Sequence, residues 1–422
     1  MRERLCRFAV TLALVVAISA VAAPHTDAVA LVPHPNVVIV LSDDQRWDKV
    51  TPTYMPNVYN WSQSATTFTD AIVPNPLCCP SRTSILTGDY SHTTGVWSNK
   101  GDYGGFGAFT DDSHTIAVDF QNAGYHTAMI GKYLNGYEPK DTKYVPPGWS
   151  RWFALRTGDY YNYDARKKNG KLVHLGTRAR DYSSRVIETQ AERFVTKNTA
   201  TPFFMYLSFT APHGKATPDK RDIGRFAGDP DCCAAWGPHA SMLDAAYGVD
   251  RSFGQLLQVL PANTIILYMS DNGYLWGEHN LFGKAAPYEE STRVPLIIGG
   301  AAMSALPDDI VANVDLRPTL TDLAGIPMLT AADGIDLASS SYTPRDAIVL
   351  ENRNATQTYS YCGVRERSWM YARYDDGSEL MFDLDSDYSE NDNLVATQPA
   401  QADKLRTEAE QLCSPPPPGY VW

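Results

Sequence analysis

The sequence predicts an α/β protein in which helices sandwich a large mixed, mostly parallel sheet, followed by a small C-terminal antiparallel sheet and a helix. Residues 36–41, 203–209 and 264–269 are nearly continuous apolar runs, as expected of strands buried on both faces, and helical patterns separate them. Beyond residue 344, short strand patterns surround turn residues such as Asp375-Asp376-Gly377. Short strand patterns separated by turn residues are typical of a small antiparallel sheet.

The remaining elements follow the same alternation. A strand is predicted over residues 125–130, and Asn169-Gly170 favours a hairpin turn between residues 160 and 173. Helices are predicted over residues 113–123, 181–195, 242–257 and 399–412.

The length of 422 residues allows one large core and a smaller second unit. We predict a secretory signal peptide over residues 1–30, a large domain over residues 31–340 and a C-terminal subdomain over residues 341–422. The signal prediction depends on a basic start and on a largely apolar run over residues 8–18, which is too short to favour a membrane span. The mature protein is therefore expected to be secreted, either extracellular or at the periplasm or cell surface.

The formal net charge of -12 argues against a nucleic-acid-binding protein, because no basic face is evident. An exported protein also enters a compartment that permits disulfides. Beyond the signal lie Cys78, Cys79, Cys232, Cys233, Cys362 and Cys413. We predict a Cys362–Cys413 bridge, since both residues belong to the last segment. Whether the adjacent Cys232 and Cys233 bridge each other or reach Cys79 stays open.

Acidic and amide side chains follow two of the predicted buried strands. Asp43 and Asp44 come after the first strand, and Asp271 and Asn272 come after the strand over residues 264–269. Because the C-terminal ends of parallel strands line the ligand crevice of an open α/β sheet, the four side chains could converge there. Their hard oxygens favour Ca²⁺ or Mg²⁺ over zinc. Each pair alone could be a solvated turn or a helix cap.

Two cationic side chains are expected near the same crevice. Lys132 follows closely on the strand over residues 125–130, and His213 follows the strand over residues 203–209. A lone lysine is usually a solvated surface charge, and a lone histidine after a strand is more often structural than catalytic.

Residues 76–88 combine a doubled cysteine with the start of a helix. Pro80 suits the first helical position, and Gly88 supplies a stop. Cys78 is therefore expected at or just before a helix N-terminus, where free N–H groups favour an anion, and Arg82 adds a fixed cation one turn on. The alternative is a cysteine pair that forms a disulfide or binds a metal beside an ordinary helix start.

The same stretch carries a resemblance to a known family. It matches the signature of the type I sulfatases at Cys78, Pro80, Ser81, Arg82, Thr87 and Gly88. In that family the first cysteine is oxidised after synthesis to formylglycine (3-oxoalanine), the catalytic aldehyde, by a formylglycine-generating enzyme. The resemblance implies an alkaline-phosphatase-like fold and makes the domain over residues 31–340 the catalytic domain.

The resemblance also implies roles, residue by residue. It implies a divalent ion, usually calcium, held by Asp43, Asp44, Asp271, Asn272 and the modified Cys78. It implies catalytic or sulfate-binding roles for Cys78, Arg82, Lys132, His213 and Lys284. His279, in the Gly-Glu-His sequence before Lys284, is expected to brace its loop rather than to act.

One position departs from the family pattern. Many sulfatases have a histidine two residues after the lysine, where this sequence has Leu134. The form Gly-Lys-Tyr-Leu-Asn resembles instead the N-acetylglucosamine-6-sulfatase, arylsulfatase and extracellular heparan sulfatase branch, as does the doubled cysteine. Asn135 is a candidate to replace the histidine.

The resemblance implies a sulfatase that hydrolyses sulfate monoesters of a sulfated carbohydrate, such as N-acetylglucosamine-6-sulfate, or of an aryl alcohol. In the family a formylglycine hydrate attacks sulfur, and His213 or Lys284 would protonate the departing alcohol. One alternative is a phosphatase or phosphodiesterase of the alkaline-phosphatase superfamily, but such enzymes use Ser or Thr at the position of Cys78. Another is an inactive sulfoglycan-binding protein, which fits poorly because the charged positions of the motif are filled.

Overall fold

The computed structural model describes residues 34–139, 141, 143–198, 200–229, 239–353 and 360–422. The predicted signal peptide and the pair Cys232 and Cys233 lie outside the described residues. Within the described ranges, no helix combines the length and the apolar character that a bilayer crossing requires.

The described residues form strands and α-helices whose order matches the predicted α/β alternation. The strands are β1 (Asn36–Ser42), β2 (Thr66–Phe68), β3 (Asp70–Ile72), β4 (His126–Lys132), β5 (Arg151–Leu155), β6 (Tyr163–Lys167), β7 (Leu172–Leu175), β8 (Phe203–Ser208), β9 (Thr264–Ser270), β10 (Leu275–Trp276), β11 (Phe282–Gly283), β12 (Leu296–Gly299), β13 (Ile310–Ala312), β14 (Ala347–Asn352), β15 (Tyr361–Glu366), β16 (Trp369–Tyr374) and β17 (Glu379–Asp383). The α-helices are α1 (Pro56–Ser62), α2 (Cys78–Thr87), α3 (Ser91–Thr94), α4 (Ile116–Asn122), α5 (Ser183–Lys197), α6 (His239–Val259), α7 (Glu289–Thr292), α8 (Leu316–Leu323) and α9 (Pro399–Leu412).

A nine-stranded sheet forms the centre, in the order β2-β12-β9-β1-β8-β4-β5-β6-β7. The five strands from β9 to β5 run parallel, and antiparallel strands complete both edges. The predicted large mixed sheet is therefore confirmed. Its parallel strands occupy the middle, where helices can cover both faces.

Strand β1 shows how the two faces are filled. All seven of its residues are buried. Val37, Ile39 and Leu41 pack in one apolar core with side chains of α2, α4 and α8, whereas Val38 and Val40 pack in another with side chains of α1, α5 and α6. Side chains alternate across a strand, so a continuous apolar run is what two covered faces require. Full burial of each aliphatic side chain contributes about 1.5–3 kcal/mol.

The C-terminal part is an antiparallel sheet, β14-β15-β16-β17, with α9 packed against it through Ala402, Leu405 and Ala409. A disulfide joins Cys362 to Cys413 with a Cα–Cα distance of 6.0 Å, which confirms the predicted bridge. The domain boundary at residues 340 and 341 stays a prediction.

The sequence predicts strands over residues 345–350, 370–374 and 379–384, which correspond to β14, β16 and β17, but it predicts no strand at β15. Its central residue, Gly363, lies against the backbone of the next strand, where an added Cβ would come within 2.2 Å of the Tyr371 carbonyl oxygen. A glycine flanked by few alternating apolar residues weakens the strand pattern, although close backbone approach is the reason that a glycine is needed there.

Candidate active site

Helix α2 positions Cys78 at its first residue. Cys78 therefore lies at the helix N-terminus, as predicted, and the helix begins two residues before Pro80. From a loop, the Asn99 side-chain oxygen accepts a hydrogen bond from the Cys79 backbone N–H at 2.7 Å, which satisfies one N–H of the first turn. Gly88 ends the helix in the left-handed conformation, with φ +80°, as predicted. Every residue of α2 is buried, so its N-terminus is held rigidly in the interior.

The four strand-end acid and amide side chains converge beside Cys78. β1 and β9 are in register up to Ser42 and Ser270, so the residues that follow emerge together. The Asp44 backbone N–H donates to Asp271 Oδ1 at 3.1 Å, and Asn272 Nδ2 donates to Asp44 Oδ1 at 2.7 Å. Asp43 Oδ1 lies 3.6 Å from Cys78 Sγ. All of these side chains are buried.

Asp44 also has an unusual backbone conformation, with φ +64°. Non-glycine residues seldom occupy this region, and they persist there where surrounding contacts determine the conformation. At Asp44 these contacts are the hydrogen bond from its N–H to Asp271 and the hydrogen bond from Asn272 to its carboxylate. The strained backbone therefore lies within the predicted metal-binding group.

Arg82 connects the ends of four strands. Its Nε donates to Asp271 Oδ2 at 2.8 Å, and its Nη2 donates to Asp43 Oδ2 at 3.2 Å. Its Nη1 donates to the Lys132 carbonyl oxygen at 3.0 Å and to Ser208 Oγ at 2.5 Å. Burial lowers the pKa of Arg82, but Asp271 and Asp43 raise it by more. The guanidinium is therefore a permanent, fully paired cation beneath the site.

The other predicted cations reach the same carboxylates. Lys132 Nζ pairs with Asp43, and Lys284 Nζ pairs with Asp44 and donates to Cys78 Sγ at 2.8 Å. Burial lowers the pKa of both lysines, yet the adjacent carboxylates raise it further. Both ammonium groups are therefore charged at neutral pH.

His213 lies at the open side of the cluster, with Nε2 3.7 Å from Asp44 Oδ2. The charge of Asp44 raises the pKa of His213 to about 9, against the opposing effect of burial. Burial also raises the pKa of Asp43 and Asp44, but neighbouring cations lower it more: chiefly Lys132 at Asp43 and Lys284 at Asp44. Acids and cations thus stabilise each other's charged forms.

The cluster can hold a metal ion. One ligand atom each from Asp43, Asp44, Cys78 and His213 lies within 4.8 Å of the others. The hydrogen bonds described above add Asp271 and Asn272 to the same group. Buried carboxylate and amide oxygens dominate this donor set, and such hard donors suit Ca²⁺ or Mg²⁺.

A cavity of about 380 Å³ opens onto the cluster, with Asp44, His213 and Lys284 in its wall. Three larger cavities, of about 400, 480 and 670 Å³, lie elsewhere among the described residues and are lined by neither the acids nor the cations of the cluster. We place the candidate active site at the smaller cavity because convergent polar groups, rather than volume, distinguish a reactive site.

Comparison with known proteins agrees with this geometry. The sulfatase family model matches residues 35–326. This chain belongs to the sulfatase family. The model of the N-sulphoglucosamine sulphohydrolase C-terminal region matches residues 277–413. The predicted family is therefore confirmed.

Several relatives of this sulfatase-family chain are known. It is 31% identical to human N-acetylglucosamine-6-sulfatase over 384 residues, covering 76% of this chain and 68% of the human one. It is 31% identical to a Drosophila melanogaster protein named extracellular sulfatase SULF-1 homolog, covering 71% of this chain and 30% of that one. It likewise spans only 48% of a Caenorhabditis elegans Sulf-1 homolog.

Solved structures share the fold of this family member. A structure in complex with its substrate D-glucosamine-2-N,6-O-disulfate superposes with a TM-score of 0.75 at 23% identity, covering 90% of this chain and 98% of that one. A 2-O GAG sulfatase superposes with a TM-score of 0.70 at 20% identity, covering 90% and 92%. These superpositions confirm the predicted alkaline-phosphatase-like architecture.

The departure from the family pattern at Leu134 has a visible consequence. Leu134 is buried in the apolar core on the α2 side of the sheet. The backbone of the predicted substitute, Asn135, lies beside the Cys79 thiol, where it partly offsets the effect of burial on the Cys79 pKa. Its role at residue 78 stays a prediction.

Some residues of the sulfatase-family site were not predicted. Ser208 is the last residue of β8, and it could have been predicted because, like Asp43, it is a polar residue at the C-terminal end of a parallel strand. The residues Asn99, Lys100, Tyr274 and Arg353 line the cavity from loops. Loop residues carry no periodicity that would place them at a distant strand end.

Proposed function

We propose that this protein is a sulfatase that hydrolyses sulfate monoesters. The observation that carries the proposal is the position of Cys78 at the start of a buried helix, with the Lys284 ammonium 2.8 Å from its Sγ. Asp43 also lies next to Cys78 Sγ, and Arg82 donates a hydrogen bond to Asp43. A side chain held among so many charges is set up for chemistry on an anion.

We propose further that Cys78 is oxidised to formylglycine by a formylglycine-generating enzyme, and that Asp43, Asp44, Asp271, Asn272 and residue 78 bind Ca²⁺. The residues present fit both groups, as the donor set and the helix start indicate. When bound, these groups would supply an oxygen nucleophile, which the unmodified side chains lack, and a positive charge beside it.

The cations of the chain would bind and orient the sulfate group. Lys132, Lys284 and Arg82 surround residue 78, and the two lysines can neutralise charge on the non-bridging oxygens of the ester. Fixing the ester in one orientation removes much of the entropic barrier to attack.

His213 is the proposed general acid. It lies in the wall of the cavity, where a protonated imidazole could reach the leaving oxygen of a bound ester. That proton would pass to the oxygen of the departing alcohol. Lys284 is the second candidate, because it too lines the cavity and is protonated.

The proposed substrate is a 6-O-sulfated amino sugar. The human relative is named N-acetylglucosamine-6-sulfatase, and a structural neighbour binds D-glucosamine-2-N,6-O-disulfate. The cavity also presents Lys100 and Arg353, which could contact a second anionic group on the sugar.

We also propose that the protein is secreted after removal of residues 1–30. A relative is named as an extracellular sulfatase, and the basic and apolar pattern of the N-terminal segment favours export.

Sulfate release tests the proposal. Protein from its native host would be incubated with N-acetylglucosamine-6-sulfate and with an aryl sulfate, and inorganic sulfate would be measured by ion chromatography. Mass spectrometry of the tryptic peptide of residues 50–82 would report the state of Cys78. We expect an aldehyde at residue 78, sulfate release by the wild type and by Cys79→Ala, and none by Cys78→Ala.

Other outcomes would contradict the proposal. An unmodified thiol at residue 78 with no sulfate released would count decisively against it. Phosphate release from a phosphate monoester without sulfate release would favour a phosphatase. Binding of a sulfated glycan without turnover would favour an inactive binding protein.

A further inference from the structure

A second group of metal-ligand side chains lies outside the candidate active site. His279 belongs to the turn before β11, Glu290 to α7, and Glu390 to the loop after β17. One ligand atom from each lies within 4.8 Å of the other two, and His279 Nε2 is 3.7 Å from Glu290 Oε2. We propose that these three side chains bind a divalent transition-metal ion, with Zn²⁺ as the expected ion.

The three ligand atoms are buried and unsatisfied. Glu390 is only 2% exposed, and the side chains of His279 and Glu290 are 10% and 17% exposed. Among the described residues, His279 Nε2, Glu290 Oε2 and Glu390 Oε1 have no hydrogen-bond partner. A buried polar atom without a partner destabilises the fold, and more so if it is charged. A single cation among the three would satisfy all of them.

The neighbouring arginines are already engaged. Arg365 Nε lies 2.7 Å from Glu289 Oε1, and Arg293 Nη1 lies 3.2 Å from Glu289 Oε2. In the described part of the chain, neither Glu290 nor Glu390 has an arginine or lysine at ion-pair distance. Apart from His279, the carboxyl groups of Glu290 and of the buried Glu390 therefore have no cationic partner among the described residues, and a divalent ion would provide one.

Two of the side chains are already oriented for binding. Glu390 Oε2 accepts a hydrogen bond from the Glu289 backbone N–H at 2.8 Å, which leaves Oε1 directed to the cluster. The His279 ring stacks on Tyr288, with 3.8 Å between centroids and 8° between planes. Contacts of this kind hold metal ligands in position in metalloproteins.

The donor set indicates the type of ion. One imidazole and two carboxylates suit zinc, whereas calcium prefers oxygen donors alone. Zinc bonds of about 2.0–2.2 Å place tetrahedral ligand atoms about 3.4 Å apart, so a 3.7 Å separation needs only a small contraction. Three protein ligands leave the fourth position to water.

Such an ion would tie the C-terminal segment to the loop that carries Lys284, since Lys284 lies between His279 and Glu290 in the chain. It would act as a structural clamp and take no part in the chemistry at Cys78. The inference does not depend on the proposed function.

The test uses the full chain, stripped of metal by a chelator and then given excess Ca²⁺ to occupy the oxygen-rich site. Co²⁺ would be titrated in and followed by its visible absorption, and Zn²⁺ would be added to displace it. We expect one equivalent of Co²⁺ to bind, and at least about tenfold weaker binding in His279→Ala, Glu290→Gln and Glu390→Gln. The matched controls His174→Ala and Glu138→Gln, at exposed positions, should bind as the wild type does.

The absence of Co²⁺ binding in excess Ca²⁺ would overturn the inference, as would equal binding by the wild type and all three cluster variants. If Glu390→Gln fails to fold, Glu290→Gln decides, because this side chain is partly exposed and the substitution keeps its shape. Zn²⁺ should also raise the Tm of the wild type and not that of Glu290→Gln.

Discussion

The Arg82 guanidinium donates from Nε to Asp271 Oδ2 at 2.8 Å, and solvent reaches neither side chain. The two residues are 189 positions apart in the chain, so this pair fastens the helix that carries Cys78 to the end of β9. A buried carboxylate without a cationic partner strongly destabilises the folded state, so the loss of Arg82 should affect both stability and metal binding.

Replacement of Arg82 by methionine should lower the free energy of unfolding by about 3–5 kcal/mol, because Asp43 and Asp271 lose their shared partner. Urea denaturation with and without Ca²⁺ would measure it. Arg317→Met is the matched control, since Arg317 forms a buried pair with Asp119 at 2.7 Å away from the site. Ca²⁺ should stabilise Arg82→Met by more than it stabilises Arg317→Met. Equal stabilisation would show that the loss of Arg82 does not change Ca²⁺ binding by the oxygen-rich cluster.

Removal of calcium should lower the Tm and abolish sulfate release. Asp43, Asp44 and Asp271 carry like charges within one buried cluster, and a divalent ion offsets their repulsion. Differential scanning calorimetry in a calcium-specific chelator, followed by re-addition of Ca²⁺, would measure the effect. Asp271→Asn should need more Ca²⁺ for the same shift. A Tm that changes with neither the chelator nor added Ca²⁺ would refute the proposed calcium site.

The Cys79 thiol should resist alkylation in the folded protein. Burial raises the pKa of Cys79 to about 12, so almost none of it is thiolate at pH 8. Iodoacetamide treatment at pH 8 followed by mass spectrometry would test this, with urea-unfolded protein as the control that reacts. Rapid labelling of the native protein would contradict the burial and the raised pKa of the Cys79 thiol.

Stability should fall with rising pH through the titration of His92. Its Nδ1 lies 2.7 Å from the buried Glu351 Oε2. Burial lowers the pKa of His92, but the hydrogen bond and charge of Glu351 raise it further, to a net value above the usual 6.5. A raised folded-state pKa means that the stabilisation is complete below pH 6.5 and is lost as pH rises through the folded value.

The measurement for His92 is urea denaturation at several pH values from 6 to 9. His92→Gln should remove part of the wild-type loss of stability over that window. His174→Gln changes an exposed histidine and should keep the wild-type profile. An unchanged profile in His92→Gln would rule out this pair as the source.

The Cys362–Cys413 disulfide should stabilise the C-terminal sheet. The two cysteines are 51 residues apart, and closing a loop of that length contributes about 4 kcal/mol in the chain-entropy account. The double variant Cys362→Ser with Cys413→Ser should therefore lose about 2–5 kcal/mol in urea denaturation. Dithiothreitol should destabilise the wild type by more than it destabilises the double variant.

Much of the candidate site follows from local sequence. A continuous β-branched run predicts a strand with two covered faces, and parallel strands present their C-terminal ends at one edge. Asp43 and Asp271 could therefore be placed together from the sequence, and Pro80 and Gly88 indicated the start and the end of the helix at Cys78. The helix begins two residues before Pro80, and the loop residue Asn99, which accepts the Cys79 N–H, could not be found from a local pattern.

The sequence by itself determined the family, the central sheet and the strand-end acids, because each follows from a local pattern or a specific motif. It favoured the C-terminal disulfide only because both cysteines lie in the last segment. Only the tertiary structure decided that Lys284 reaches Cys78, that Arg353 lines the cavity and that His279 meets Glu390. Those contacts join loops distant in the chain, and loop positions have no periodic pattern. Their neighbours are set by how the sheet, helices and C-terminal segment pack together.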